Sequence, residues 1–205
     1  MAQKASKIDR TLVMQEAYWV AKDTFRKSYQ LDWLLPFGFH NSYVLLMRKD
    51  QAEQHRIENI SDLLKHEEFF KVGFDPEFFS RPECQSLKSC YRFSSKFKPF
   101  LMDQALLYLT LASANVDVIS GSSTDSAVYG EGLKILVDDK DVFPPYECAP
   151  LVRSAALQAY PELQRILEFL AGRITEEKMR KMNYEVEKKG RNIYQVALDF
   201  LSFQN

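Results

Sequence analysis

Short apolar runs of strand length alternate with helical segments between about residues 41 and 140, and this alternation limits the chain to few folds. The apolar runs are Tyr43–Met47, Phe70–Phe74, Val116–Ile119 and Leu133–Val137. Such runs, bounded by polar and turn residues, are typical of buried strands. Their alternation with helices is typical of an α/β sheet. We therefore predict a sheet with helices on both faces for residues 38–142.

Helical spacing dominates the two ends of the chain. Residues 8–28 predict one amphipathic helix, and a short strand at Leu31–Leu35 follows it and ends at Pro36. Toward the carboxyl end the same spacing predicts three further helices, at Pro161–Leu170, Glu176–Glu187 and Asn192–Phe203.

The overall composition argues against several classes of protein. With 27 basic and 28 acidic residues the formal net charge is -1, which gives no electrostatic reason to expect nucleic-acid binding. The 7 glycines form no phosphate-binding loop and no dinucleotide fingerprint, so no cofactor is predicted. No apolar run approaches the ~18 residues that span a bilayer. The amino terminus lacks the apolar segment of a signal peptide, which by itself would predict a cytosolic protein.

No group of residues suited to catalysis or metal binding is evident in the sequence. His40, His55 and His66 are scattered and lack the spacing of metal ligands. Cys84 and Cys90 could pair if their Cα atoms came close enough, but small buried or half-buried thiols are the favoured interpretation.

Residues 117–150 carry several short motifs in a defined order. The polar cluster Ser122–Asp125 follows the third apolar run and can cap a short helical turn. Asp138-Asp139 is interpreted as part of a solvated turn. Two prolines then hold Tyr146 on an extended, rigid backbone. Ligands of open α/β sheets bind at the carboxyl ends of strands, where such segments collect.

In this order the motifs resemble those of substrate-binding proteins of ABC importers for glycine betaine, choline and related quaternary amines. The family shows Ser-Thr-Asp, Asp-Asp-Lys, Phe-Pro-Pro-Tyr and Ala-Pro, matched here by Ser123–Asp125, Asp138–Lys140, Phe143–Tyr146 and Ala149-Pro150. Weaker matches elsewhere extend the resemblance to about residues 15–203. They include Gly38–Tyr43, Ile60–Leu63, Glu77–Arg81, Met102-Asp103 and Leu170–Ile174.

The resemblance implies a type II periplasmic-binding-protein-like α/β fold, with two lobes joined by two crossing strands. By this comparison residues 38–142 are the complete second lobe, and residues 1–37 and 143–205 are the remaining, mainly helical part of the first. Pro36 and Val142–Tyr146 would mark the crossings. The first lobe is therefore expected to be incomplete at its amino end.

An incomplete lobe would leave an open sheet edge and an uncovered apolar face. Leu31–Leu35 and Leu151-Val152 would lack neighbours on one side. Such surfaces promote strand pairing or association. We therefore expect self-association, or a second chain that supplies the missing half.

The resemblance also implies an aromatic cage for the ligand, because ring faces attract a quaternary ammonium cation without a desolvated counter-ion. The residue-by-residue match places Tyr43 and Tyr146 at two cage positions. Ser122 stands where the family has a third aromatic residue. For both tyrosines the alternative is ordinary packing at a strand end.

Three other residues are candidates for ligand binding. Arg81 matches an arginine that can reach a ligand carboxylate or help to hold the lobes closed. The alternative for Arg81 is a surface ion pair with Glu77 or Glu83. Asn41 matches a position whose backbone faces the ligand, or is a turn residue. Thr124 could bind ligand, although capping is the favoured role.

The predicted function is the solute-binding component of an ABC importer for quaternary ammonium compounds. It would capture ligand between two lobes and deliver it to a membrane permease, outside the cytoplasmic membrane and without chemistry on the ligand. Two alternatives stay open: a binding-incompetent interaction module, and the ligand-sensing domain of a transcription regulator. The lack of a helix-turn-helix and of basic charge argues against the regulator. An enzyme is least expected.

Overall fold

The computed structural model describes residues 10–94, 97–130 and 132–202, with side chains from residue 16 onward. The predicted helical residues 8, 9 and 203 lie outside this part. In chain order the elements are α1 (Arg10–Tyr29), β1 (Leu31–Trp33), β2 (Tyr43–Arg48), α2 (Lys49–His55), α3 (Ile60–Leu64), β3 (Val72–Phe74), α4 (Pro76–Ser80), α5 (Pro82–Tyr91), β4 (Phe100–Leu101), α6 (Gln104–Ala112), β5 (Val118–Ser122), a 3₁₀ turn (Ser126–Val128), β6 (Leu133–Ile135), β7 (Leu151–Arg153), α7 (Ser154–Ala159), α8 (Glu162–Glu168), α9 (Glu176–Glu187) and α10 (Ile193–Ser202).

The chain separates into two compact units. In the described part, the strand-pair unit comprises residues 10–38 and 148–174, and the sheet unit comprises residues 39–147 and 175–202. Among the described residues, none of the helices combines the length and apolar character needed to cross a bilayer.

Residues 175–202 group with the sheet unit, whereas the sequence comparison assigned them to the other lobe. The physical reason is visible in α9. The Arg180 guanidinium donates to the Ser123 carbonyl at 3.0 Å, and the Asn183 side-chain amide donates to the Thr124 carbonyl at 2.9 Å.

The sheet unit is built on a five-stranded mixed sheet of order β4-β3-β5-β2-β6. Strand β3 runs parallel to β4 and β5, whereas β2 runs antiparallel to β5 and β6. The β2–β5 register pairs Tyr43 with Ser122. Polar residues that follow β3 and β5 therefore meet the residues that precede β2 at one edge of the sheet.

Both faces of this sheet are covered by helices. Side chains of a strand alternate between faces, so Leu45 and Met47 enter the core that includes residues of α3, α4 and α5, while Leu46 enters the core formed with α6. This double burial explains why β2 is a continuous apolar run rather than an alternating one. The predicted α/β sheet with helices on both faces is confirmed.

The strand-pair unit contains one antiparallel pair, β1 with β7. Helix α1 packs on β1, where the Tyr18 hydroxyl donates to the Leu34 carbonyl at 3.1 Å and the Phe25 ring lies 5.2 Å from the Trp33 ring. Among the described residues of this unit, Leu34 and Ile174 are the buried apolar side chains.

Candidate functional site

A cavity of about 440 Å³ opens at the edge of the sheet where β3 and β5 end and β2 begins. Five of the six residues predicted to bind ligand line it, together with Asp75 and Glu77: they are Asn41, Tyr43, Arg81, Ser122 and Tyr146. We call this cavity the cleft. The sixth residue, Thr124, lies behind the lining and is buried.

Tyr43 is held in the cleft wall by two ring contacts. Its ring lies 4.9 Å from that of Phe78, and the Arg81 guanidinium lies 5.5 Å from its centroid. Burial raises the pKa of Tyr43, the charge of Arg81 opposes this effect, and Glu77 is among the carboxylates that add to it. The ring is partly buried against the core, and the residue also lines the cleft.

Arg81 forms an ion pair with Glu77, which was the alternative predicted for this residue. Its Nε donates to Glu77 Oε1 at 3.2 Å, and Nη2 contacts the same oxygen. The two residues are one helical turn apart at the end of α4, a spacing that favours pairing. The hydrogen bond from Arg81 lowers the pKa of Glu77. A ligand carboxylate that used Nε and Nη2 of this guanidinium would have to displace Glu77.

Tyr146 is fixed by hydrogen bonds at both its backbone and its hydroxyl. The Asn41 amide donates to the Tyr146 carbonyl at 2.9 Å, and the Tyr146 amide donates to Ser42 Oγ at 3.2 Å. The hydroxyl donates to Glu83 Oε1. This bond to Glu83, with burial adding to it, raises the pKa of Tyr146 to about 12.

Sequence reasoning did not predict Asp75 or Gln104 in the lining of the cleft, and it missed the bond of Glu83 to a residue of that lining. Glu83 follows Pro82 in the first turn of α5, where an acidic residue is commonplace. Only its burial and its bond to Tyr146, 63 positions away, single it out. No local signal in the sequence could have found that bond.

Two hydroxyl groups at and just after the end of β5 are hydrogen-bonded to the side chain of Asn41. Ser122 Oγ and Thr124 Oγ1 both donate to Asn41 Oδ1, the latter at 2.6 Å. The capping role predicted for Thr124 and Asp125 is wrong, because the 3₁₀ turn has no side-chain cap. Asp125 instead accepts from the Ser122 amide at 2.7 Å and from the Tyr108 hydroxyl.

The Asp138-Asp139 pair lies in a hydrogen-bonded turn, in which Asp138 is half-buried and Asp139 is exposed, as expected for a solvated turn. The Tyr91 hydroxyl donates to both carboxylates, at 2.6 and 3.0 Å. Asp138 also accepts from the Phe143 amide at 2.7 Å. Because Phe143 begins the Phe-Pro-Pro-Tyr segment, these bonds anchor the segment that carries Tyr146.

The histidines and cysteines form no metal centre in the described part of the chain, where no cluster of three or more potential ligands occurs. The rings of His55 and His66, distant in sequence, lie 6.2 Å apart. Cys84 and Cys90 are free thiols, the first buried and the second exposed.

Comparison with known proteins places this geometry in a family. The sequence profile of the substrate binding domain of ABC-type glycine betaine transport systems matches residues 6–202. The carnitine transport binding protein OpuCC of Listeria monocytogenes is 33% identical over 193 residues, which are 93% of this chain and 62% of OpuCC. The chain thus spans about three fifths of that relative.

Two further relatives support the assignment. The ergothioneine transport permease/ergothioneine binding protein EgtU of Helicobacter pylori is 34% identical over 181 residues, 88% of this chain and 32% of EgtU. A crystal structure of a glycine betaine/carnitine/choline ABC transporter protein superposes with a TM-score of 0.83 at 31% identity, covering 92% of this chain and 69% of that one.

Apo YehZ from Escherichia coli shares the fold, with a TM-score of 0.75 at 24% identity over 98% of this chain and 75% of its own. The predicted periplasmic-binding-protein-like fold is confirmed by these structures. The family is one of binding domains and not of enzymes, in agreement with the sequence prediction. The chain belongs to the substrate-binding domains of ABC-type glycine betaine transport systems.

Proposed function

We propose that this chain is the solute-binding component of an ABC importer for quaternary ammonium compounds of the glycine betaine and choline type. It would act outside the cytoplasmic membrane and pass its ligand to a membrane permease. The observation that carries the proposal is a single cleft whose described lining combines the rings of Tyr43 and Tyr146 with two carboxylates, Asp75 and Glu77, and one guanidinium.

The cleft suits a cation that cannot donate hydrogen bonds from nitrogen. Each tyrosine ring offers an electron-rich face. The bonds of Tyr146 to Ser42 and Glu83 preorganise its ring, which reduces the entropy lost on binding. Asp75 and Glu77 add negative potential. Asn41, with its side chain held by Ser122 and Thr124, would present its backbone to the ligand.

Binding can be tested by titrating the purified chain with glycine betaine, choline and carnitine, using calorimetry or NMR. Removing one ring, in Tyr43→Ala or Tyr146→Ala, should weaken binding because a cage contact is worth about 0.5–2 kcal/mol, or roughly 2- to 30-fold in Kd. Tyr194→Ala is the matched control, because Tyr194 is an exposed tyrosine on α10 of the same unit. Equal effects of all three substitutions would contradict the proposal.

The strand-pair unit supports a finer proposal about partners. Within the described residues β1 and β7 pair only with each other, and Trp19, Tyr160 and Ile166 are exposed. An unpaired strand edge beside apolar surface favours association. We propose that this unit self-associates or binds a second chain that adds strands to the pair. If the titrations show no binding while association persists, the interaction module is the better reading.

Light scattering over a range of protein concentrations tests this association. Leu151→Lys places a charge on the exposed side of β7 and should weaken self-association at least about tenfold, because edge lysines oppose strand pairing. Leu109→Lys makes the same change at an exposed position of α6 in the sheet unit and should have no effect. A monomer at every concentration, with no strand-adding partner, would overturn the partner proposal.

A further inference from the structure

One buried carboxylate lies directly behind the wall of the cleft. Glu83 is only 7% exposed, and its Oε1 accepts the hydroxyl hydrogen of Tyr146. Its other oxygen, Oε2, is buried and has no hydrogen-bond partner among the described residues. Burying a carboxylate oxygen without a partner costs free energy. A buried carboxylate with an unpartnered oxygen beside a cavity is therefore a candidate for a role in that cavity.

The other charged groups of the cleft are already neutralised or hydrogen-bonded. Glu77 is paired with Arg81. Asp75 accepts from the Phe78 amide at 2.8 Å and from Ser120 Oγ at 3.0 Å, as the cap of α4. Arg81 is the one guanidinium that lines the cleft in the described part of the chain, and its Nε and Nη2 contact Glu77. Glu83 differs from these groups because one of its buried oxygens has no hydrogen-bond partner among the described residues, although its charge also acts on Arg81.

The potential of Glu83 extends over both aromatic rings. Burial is the main cause of the raised pKa of Tyr43 and the charge of Arg81 opposes it, while the charge of Glu83 adds to it. The hydrogen bond and the charge of Glu83 also raise the pKa of Tyr146, where Arg81 again acts in the opposite direction. A cation placed between the rings would experience the same field. A carboxylate carried by the ligand would be repelled by it.

We propose that Glu83 determines specificity in this cleft, favouring quaternary ammonium ligands of net positive charge, such as choline, over zwitterions that also carry a carboxylate, such as glycine betaine. The inference rests on the proposed function and refines its ligand class. For charges ~8 Å apart at an effective dielectric constant of about 20–40, the preference amounts to roughly fivefold or more in the ratio of dissociation constants.

The test compares choline and glycine betaine by NMR titration against the full chain and its variants. Glu83→Gln keeps the size of the side chain and an acceptor for Tyr146 but removes the charge. It should reduce the preference for choline at least about fivefold. Tyr146→Phe breaks the same hydrogen bond while keeping the ring and the charge. It should change both affinities together and leave their ratio unaltered.

Two further variants make the result decisive. Glu53→Gln removes an exposed carboxylate on α2, which follows the opposite end of β2 from Tyr43, and should leave both affinities unchanged. Glu83→Met removes charge and orphan oxygen together, and buried charges often tolerate apolar replacement. If Glu83→Gln fails to fold, Glu83→Met should show the same loss of preference.

The outcomes separate the two proposals. If the wild-type chain binds both ligands and the charge-neutral variants keep the wild-type ratio, the role of Glu83 is overturned and the proposed function stands. If the wild-type chain binds neither ligand at millimolar concentrations, the proposed function is overturned, and the inference with it. A third outcome is that Tyr146→Phe and Glu83→Gln change the ratio of the two dissociation constants by the same amount. Glu83 would then act only by positioning the ring of Tyr146, and the proposal would be overturned.

Discussion

The two units of this chain differ in how completely they bury their apolar side chains. In the sheet unit the central strands β2 and β5 each have a neighbour on both sides, and residues such as Leu46 and Phe74 are fully buried. In the strand-pair unit each strand has one neighbour, and large side chains such as Trp19 are exposed. Both units are rich in apolar residues. The comparison shows that a core requires a sheet whose two faces are covered by helices, and that a high content of apolar residues does not produce one by itself.

The largest expected contrast between the units comes from deleting apolar side chains. Leu46→Ala removes a fully buried side chain between β2 and α6 and should lower the free energy of unfolding by about 2–5 kcal/mol. Trp19→Ala, at a position that is 61% exposed, should change it by less than about 1 kcal/mol. Urea denaturation measures both. Similar losses for the two variants would show that the strand-pair unit acquires a core in solution.

A second contrast lies in how arginines are used. The Arg48 guanidinium donates to the carbonyls of Leu111 and Val116 at 2.6 and 2.8 Å and pairs with Asp117 at 3.1 Å, largely buried. In the strand-pair unit Arg26, with a side chain that is 70% exposed, lies 3.5 Å from Asp32.

Replacing each arginine with methionine should separate these two cases. Arg48→Met should lower the free energy of unfolding by about 3 kcal/mol, because two carbonyl oxygens lose this donor and Asp117 loses its cation, keeping only the neutral donors of Gln51 and the Lys71 amide. Arg26→Met should cost about 0–1 kcal/mol, because exposed ion pairs are screened by solvent. Thermal unfolding at matched salt tests the difference. Equal shifts in Tm would contradict the contrast between a buried network and an exposed pair.

The smallest expected effect is an alkaline pH dependence in the sheet unit. The pKa of Tyr146 is raised from 10.0 to about 12 by its bond to Glu83 and by burial. A phenol with a raised folded-state pKa stabilises the fold fully below its unfolded pKa. This stabilisation is lost as pH rises from about 10 to 12.

Unfolding of wild type and Tyr146→Phe should therefore be compared across that pH window. Wild type should lose more stability than Tyr146→Phe, because only wild type has this phenol to ionise. Tyr160→Phe, an exposed tyrosine of the strand-pair unit, serves as the control and should follow wild type. Identical slopes for wild type and Tyr146→Phe would contradict the assignment.

Local pattern predicted most of the secondary structure. The run Tyr43–Met47 became β2, and the helical spacing of residues 176–187 became α9 with the same bounds. Helices α2, α4, α5 and α7 were missed. Helix α2 has only Ala52 buried, so it carries little apolar periodicity, and α5 begins at a proline that reads equally well as a loop.

The sequence by itself determined which segments become strands and helices, because burial on one or both faces imposes a period that is visible in neighbouring residues. It also placed Tyr43 and Arg81 beside element ends, positions from which side chains can reach a shared cleft, and Tyr146 on a segment held extended by two prolines. Only the tertiary structure decided which polar groups meet. Glu83 and Tyr146 are 63 positions apart, and Asn41 and Thr124 are 83. Such pairs have no period, since they form only after strand register and helix packing have brought distant side chains together.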